Sequence, residues 1–120
     1  MDKKQFIKEM QLLKEMKVSE KAVDKENIKR IIKHSIDDNF KDDKNPRGHQ
    51  NLIIVMEELA ELSQAVSKQL RGIGDNTNLL EELADVQLGI YFVQEICGIT
   101  DEDINRAINV KAERLKNIRN

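Results

Sequence analysis

Between His49 and Gly98, two apolar-striped segments flank the turn sequence Arg71-Gly72-Ile73-Gly74-Asp75-Asn76-Thr77-Asn78. In the first, Leu52, Val55, Leu59, Leu62 and Val66 recur at helical spacing. In the second, Gly89, Phe92, Val93 and Ile96 do the same. The glycines stop one helix, and Asn or Thr can cap the next. A connection this short makes the helices antiparallel neighbours. The periodicity predicts helices over Gln50–Leu70 and Leu79–Ile96, the latter ending at Gly98.

The rest of the chain reads in the same register. Phe6, Met10 and Leu13 predict a helix over Asp2–Met16. Ser19 can cap a helix over Glu20–Ile36 with Val23, Ile28, Ile31 and Ile32 as its apolar positions. Asp37–Gly48, which holds the only proline, reads as a loop. Thr100-Asp101-Glu102-Asp103 opens a last helix in capping-box style, reaching Ile118. No strand pattern of useful length occurs. The fold class is all-α, an antiparallel helical bundle. Residues 1–45 are more charged and less apolar than the rest; they read as an N-terminal helical extension on a bundle domain spanning residues 46–120.

Composition narrows the function. The 120 residues suit one domain. A formal net charge of −2 gives no basic field for a nucleic-acid polymer. No apolar run approaches a membrane span, and the charged N-terminus lacks a signal-peptide core. The single cysteine, Cys97, excludes an intramolecular disulfide framework and fits a reducing compartment, so the expected location is cytoplasmic. Its apolar neighbours Ile96 and Ile99 mark it as core filler.

Each segment also carries nearly the same acidic hexamer. Residues 57–62 read EELAEL and residues 81–86 read EELADV. Glu58 and Glu61, three apart, share a face on the shoulder of the apolar stripe. Glu82 and Asp85 lie in line with Gly89, Val93 and Ile96, which points them inward. Gly89 costs about 1 kcal/mol of helix propensity relative to Ala, and it leaves room one turn beyond the acids. If the two faces meet, four carboxylates share one cleft. At an effective dielectric near 20, each pair about 4 Å apart costs on the order of 4 kcal/mol. Either some carboxylates take up protons or a divalent cation compensates. All-oxygen donors select a hard ion, most commonly Mg²⁺ in company with substrate phosphates. A di-iron bundle would need Glu-x-x-His pairs. His34 and His49 are preceded three residues earlier by Ile31 and Pro46, so neither belongs to one.

Glu58-x-x-Glu61, twenty intervening residues, then Glu82-x-x-Asp85 resembles the signature of the all-α nucleoside triphosphate pyrophosphohydrolases, the MazG-like superfamily that includes the dimeric dUTPases. The likeness covers roughly His49 to Ile118. It is strongest in EELAELSQAVSKQLRG (57–72), EELADVQLGI (81–90) and the last-helix run Val110-Lys111-Ala112-Glu113-Arg114. The small single-domain proteins of bacteria and phages are the most similar.

The resemblance implies Mg²⁺-dependent cleavage between the α- and β-phosphates of a nucleoside triphosphate, giving the monophosphate and pyrophosphate, with Mn²⁺ as a possible substitute. It implies that Glu58, Glu61, Glu82 and Asp85 hold the metal; a carboxylate that the metal does not fully occupy could take the water's proton, and of the four Glu61 is the choice for this base. Basic side chains should face the phosphates: Lys68, two turns after Glu61, and Lys111 and Arg114, beside the stripe Ile104, Ile108, Leu115 and Ile118. Gln50 and Asn51, two turns before Glu58, can read a base edge. Tyr91 and Phe92 read as core. The absence of Trp excludes a tryptophan sandwich for the base. Long helices with broad apolar faces predict a homo-oligomer, a dimer or tetramer. The alternative is a non-enzymatic scaffold that dimerises through the bundle.

Overall fold

The computed structural model describes residues 3–15, 24–40 and 48–119, excepting the side chains of 12–15, 37–40 and 119. It contains five helices: α1 (Lys3–Glu15), α2 (Lys25–Phe40), α3 (His49–Leu70), α4 (Asn76–Cys97) and α5 (Asp101–Arg119). No strand occurs among the described residues. No helix is long and apolar enough to cross a membrane.

Helix boundaries follow local chemistry. Gly72, at φ +75°, ends α3, and the Ile73 N–H donates back to the Lys68 carbonyl at 3.0 Å. Gly98, at φ +69°, ends α4 in the same way, with Ile99 donating to Gln94 at 2.9 Å. An L side chain rarely adopts this backbone, and glycine does so without strain. The cap of α4 is Asp75 rather than the expected Asn or Thr: its Oδ1 accepts from the Thr77 N–H at 2.8 Å. The capping box at α5 forms as expected. Thr100 N–H donates to Asp103 Oδ2 at 3.0 Å, and Asp103 N–H to Thr100 Oγ1 at 3.1 Å.

Two boundaries differ from expectation. The described part of α2 begins at Lys25, where Asp24 Oδ1 accepts from Asn27 N–H at 3.1 Å. The expected cap, Ser19, lies outside the described residues. The same helix runs on to Phe40, four residues into the stretch read as a loop. Asp37, Asp38 and Asn39 are polar but contain no backbone breaker, so the helix continues. Residues 41–47, including Pro46, lie outside the described residues.

α4 is the centre of the packing. It lies along α3, and it also contacts α2 and α1. That explains why it is apolar around most of its circumference: partners cover several sides. The core comprises Ile32 and Ile36 of α2, Val55 and Ala65 of α3, and Val86 of α4. Gly89 is buried, and a Cβ there would sit 3.3 Å from both Val55 methyl groups. The missing side chain therefore admits Val55 and brings α3 close to α4, beyond leaving room beside the acids.

The N-terminal helices thus pack on the bundle. Residues Phe6, Ile7 and Met10 of α1 meet Thr77 and Leu80 at the start of α4. Lys3 pairs with Asp75, and Lys29 of α2 with Asp101 at the start of α5. α5 packs far less closely than α3 does on α4. Its apolar residues Ile108, Val110, Leu115 and Ile118 are all exposed. Cys97, expected in the core, is exposed as the last residue of α4.

Candidate metal centre

The short α3–α4 turn and the 3.6-residue period bring the acidic faces together. Glu58, Glu61 and Glu82 each offer a carboxylate oxygen, and these oxygens lie within 4.8 Å of one another. Asp85 stands beside Glu58, close enough to share a hydrogen bond with it. Glu58, Glu82 and Asp85 are half-buried, whereas Glu61 is exposed. The Oε2 atoms of Glu58 and Glu82 are buried with no hydrogen-bond partner. A buried carboxylate oxygen with no partner costs stability unless a proton or a cation satisfies it.

The electrostatics agree with the geometry. Burial pushes the Glu58 carboxyl up to about 7, with further upward pressure from Asp85, Glu61 and Glu82. Burial likewise raises Glu82 to about 6, helped by the charge of Glu61 and a hydrogen bond with it, then by Asp85 and Glu81. The principal influences on both groups are burial and other carboxyls; no cation is among them. A cluster of this kind fits a hard dication through its donor set, which is entirely carboxylate oxygen, and through its two unsatisfied atoms.

Glu81 went unnoticed in the sequence. It is the most buried carboxylate among the described residues, at 6% exposure. It follows Thr77, which meets α1, by one helical turn. Its burial comes from the packing around α4, which contacts α1 and α2 as well as α3.

The expected substrate contacts divide into two groups. Asn51 is buried and lines a cavity of about 170 Å³ that continues from Glu58 and Asp85 between α3 and α4. Phe92, read as core, is half-buried and lines the same cavity. Gln50 is exposed on the first turn of α3. Lys68 is exposed in a shallow polar depression with Ser63, Gln64, Ser67 and Arg71. Arg71 was not anticipated, although Lys68-x-x-Arg71 repeats the spacing of Lys111-x-x-Arg114. Lys111 and Arg114 lie on the exposed length of α5, and neither is among the principal influences on Glu58 or Glu82. Tyr91 faces a different cavity, beside Lys29 and Gln94.

Comparisons with family models, with curated proteins and with solved structures return no match for this chain.

Proposed function

We propose that this protein is a Mg²⁺-dependent nucleoside triphosphate pyrophosphohydrolase that splits the bond between the α- and β-phosphates. The observation that carries the reading is the convergence of Glu58, Glu61 and Glu82, with two buried oxygens left unsatisfied. Glu58, Glu61, Glu82 and Asp85 would hold Mg²⁺, or Mn²⁺ in its place. Bound there, the ion would neutralise phosphate oxygens and lower the pKa of water. Glu61 is the exposed member of the cluster and the one best placed to take a proton from an attacking water. Lys68 and Arg71, further along α3, would attract the leaving pyrophosphate.

We further propose a homo-oligomer, a dimer or tetramer, working in the cytoplasm. Large apolar residues remain exposed on α3, α4 and α5, among them Met56, Leu59, Leu83, Leu88, Ile108 and Leu115. That much exposed apolar side chain on three helices favours an interaction surface. In an oligomer, α5 with Lys111 and Arg114 would approach the acids of a second copy.

The test is a panel of nucleoside triphosphates assayed for pyrophosphate release with and without Mg²⁺. Pyrophosphate released only with the metal is the expected result. Single phosphate as the first product would overturn the bond assignment. The same exposed apolar surface favours a second reading, a non-enzymatic scaffold. Under that reading, Mg²⁺ would leave the thermal unfolding midpoint unchanged, and neutralising all four acids would preserve association.

A further inference from the structure

We infer that Lys29 of α2 and Asp101 of α5 form a latch through which the N-terminal extension sets the direction in which α5 leaves the bundle, and so controls association through α5. The control of association rests on the homo-oligomer reading; the latch itself does not. The chain alone leaves that direction open. Gly98-Ile99-Thr100 connects α4 to α5, and the Gly98 backbone is free of the limits a side chain imposes. Packing does little more, because α5 lies far less closely on α4 than α3 does and its apolar stripe is bare. A polar tie supplies what packing leaves out, and Asp101 is its meeting point. Asp101 Oδ1 accepts from the Gln94 side-chain amide of α4 at 3.0 Å, and Oδ2 accepts from the Lys29 ammonium of α2. Gln94 is buried, and its amide also reaches the Ile99 carbonyl at 3.4 Å. Three helices therefore share one carboxylate.

The extension is seated well enough to act on this carboxylate. Ile32 and Ile36 follow Lys29 on one face of α2, and both are buried where α2 meets α4. The anchored helix thus presents Lys29 to Asp101. The Lys29 charge, and then the Gln94 amide, hold the Asp101 carboxyl below the ordinary carboxylate range, so the aspartate carries its charge. Two features make the tie releasable. The Lys29 and Asp101 side chains are 35% and 36% exposed, and a pair so open to water is weak and screened by salt. Lys29, Tyr91, Gln94 and Asp101 also border a cavity of about 360 Å³ between α2 and the α4–α5 connection, so the junction is not a packed seam. With the latch closed, α5 offers Ile108 and Leu115 to a second copy in one geometry. With it open, the same stripe is spread over many directions. If about one chain in ten then holds the associating geometry, the dissociation constant rises about tenfold for each copy that must be in place.

The experiment has two arms, both on the full chain. The first measures the α3–α5 distance by pulsed electron spin resonance, with labels at Gln64→Cys and Glu113→Cys in a Cys97→Ser background and the labelled chains diluted in unlabelled protein. Gln64 and Glu113 are both exposed, so the labels disturb no core. The parent should give a narrow distribution, and Lys29→Glu or Asp101→Lys alone should broaden it. The two reversals together should narrow it again, since Gln94 can turn its carbonyl to accept from a lysine. Raising NaCl from about 0.05 M to about 0.5 M should broaden the parent and leave the single reversals unchanged. Lys29→Gln, which removes the charge without reversing it, should broaden the distances in the same sense and covers the case where a reversal fails to fold. The second arm measures the dissociation constant by light scattering across a dilution series, which should rise in the single reversals and recover in the double. Narrow distances in every single variant would show that the connection alone directs α5 and would overturn the latch, leaving the proposed function and the oligomer standing. Broad distances with an unchanged dissociation constant would keep the latch and overturn its control of association. A parent monomeric at every concentration would overturn that control together with the oligomer, with the distances still deciding the latch.

Discussion

The α3–α4 pair and α5 are both amphipathic helical stretches, yet the molecule treats them in opposite ways. Along the pair, Val55, Ala65 and Val86 are buried, and Gly89 lets the helices close to van der Waals contact. That rigid contact holds carboxylates in an unfavourable cluster, with Glu58 pushed up to about 7. α5 has a well-made start, capped by Thr100 and Asp103, but its apolar stripe stays bare. The pair keeps unsatisfied carboxylate oxygens in its packed seam, and α5 keeps apolar side chains in solvent. On the proposed reading, the pair would carry the chemistry and α5 the means of association.

The largest test of that division removes one acid. Glu82→Gln should lower kcat/KM for pyrophosphate release by at least about a hundredfold, since the metal would lose a charged ligand. The same change relieves repulsion, so circular dichroism should show an unfolding midpoint equal to or above that of the parent. Activity retained in Glu82→Gln would break the assignment of chemistry to the pair.

Next in size is α5. Replacing Ile108 and Leu115 with Lys places two charges on its bare stripe. Light scattering should then report a monomer mass where the parent reports a multiple of 13.9 kDa. A parent that is already monomeric at micromolar concentration would show that the bare stripe serves some other purpose.

The acid pair also predicts a pH dependence. Glu58 and Glu82 titrate in the folded state near 7 and near 6, both above the ordinary 4.5. Between those values the native state binds protons that the unfolded chain has already released. Metal-free stability is therefore greatest below about pH 4.5 as far as these groups are concerned, and it falls as pH rises through 6 and 7. Thermal unfolding from pH 5 to pH 8 without metal should show a falling midpoint, with a smaller slope in Glu58→Gln. Mg²⁺ should raise the midpoint more at pH 8 than at pH 5, because it competes with protons. A midpoint that rises with pH in the absence of metal would mean the carboxylates do not face one another.

Much of this organisation could be read from the residues. The turn glycines, the Thr100 capping box and the repeated hexamers are local signals, and each depends on neighbours within a few positions. The clustering of Glu58, Glu61 and Glu82 followed from helical phase plus a short connection. Features set by distant partners were not legible. Glu81 looks as solvent-facing as Glu57 until distant elements pack around α4, and Cys97 sits among apolar neighbours in the sequence yet is exposed. The extension of α2 to Phe40 was missed for a different reason: a polar run without Gly or Pro reads as a loop but does not force one. The cavity beside Asn51 needed both helices in register, so Phe92 was read as packing alone.

The smallest effect separates the start of α5 from its stripe. Thr100→Ala removes the hydroxyl that accepts from the Asp103 N–H at 3.1 Å and so opens one half of the capping box. Loss of such a cap costs about 1 kcal/mol. For a chain of this length that lowers the unfolding midpoint by about 4 °C, provided α5 melts together with the rest. If α5 is secured only by its partner, dilution below the dissociation constant should make the midpoint insensitive to the cap, because the helix would already be uncoupled from the bundle. A loss of about 4 °C at high concentration that vanishes on dilution would tie the stability of α5 to the second copy. An equal loss at both concentrations would make α5 an ordinary part of the folded monomer and weaken the contrast with the α3–α4 pair.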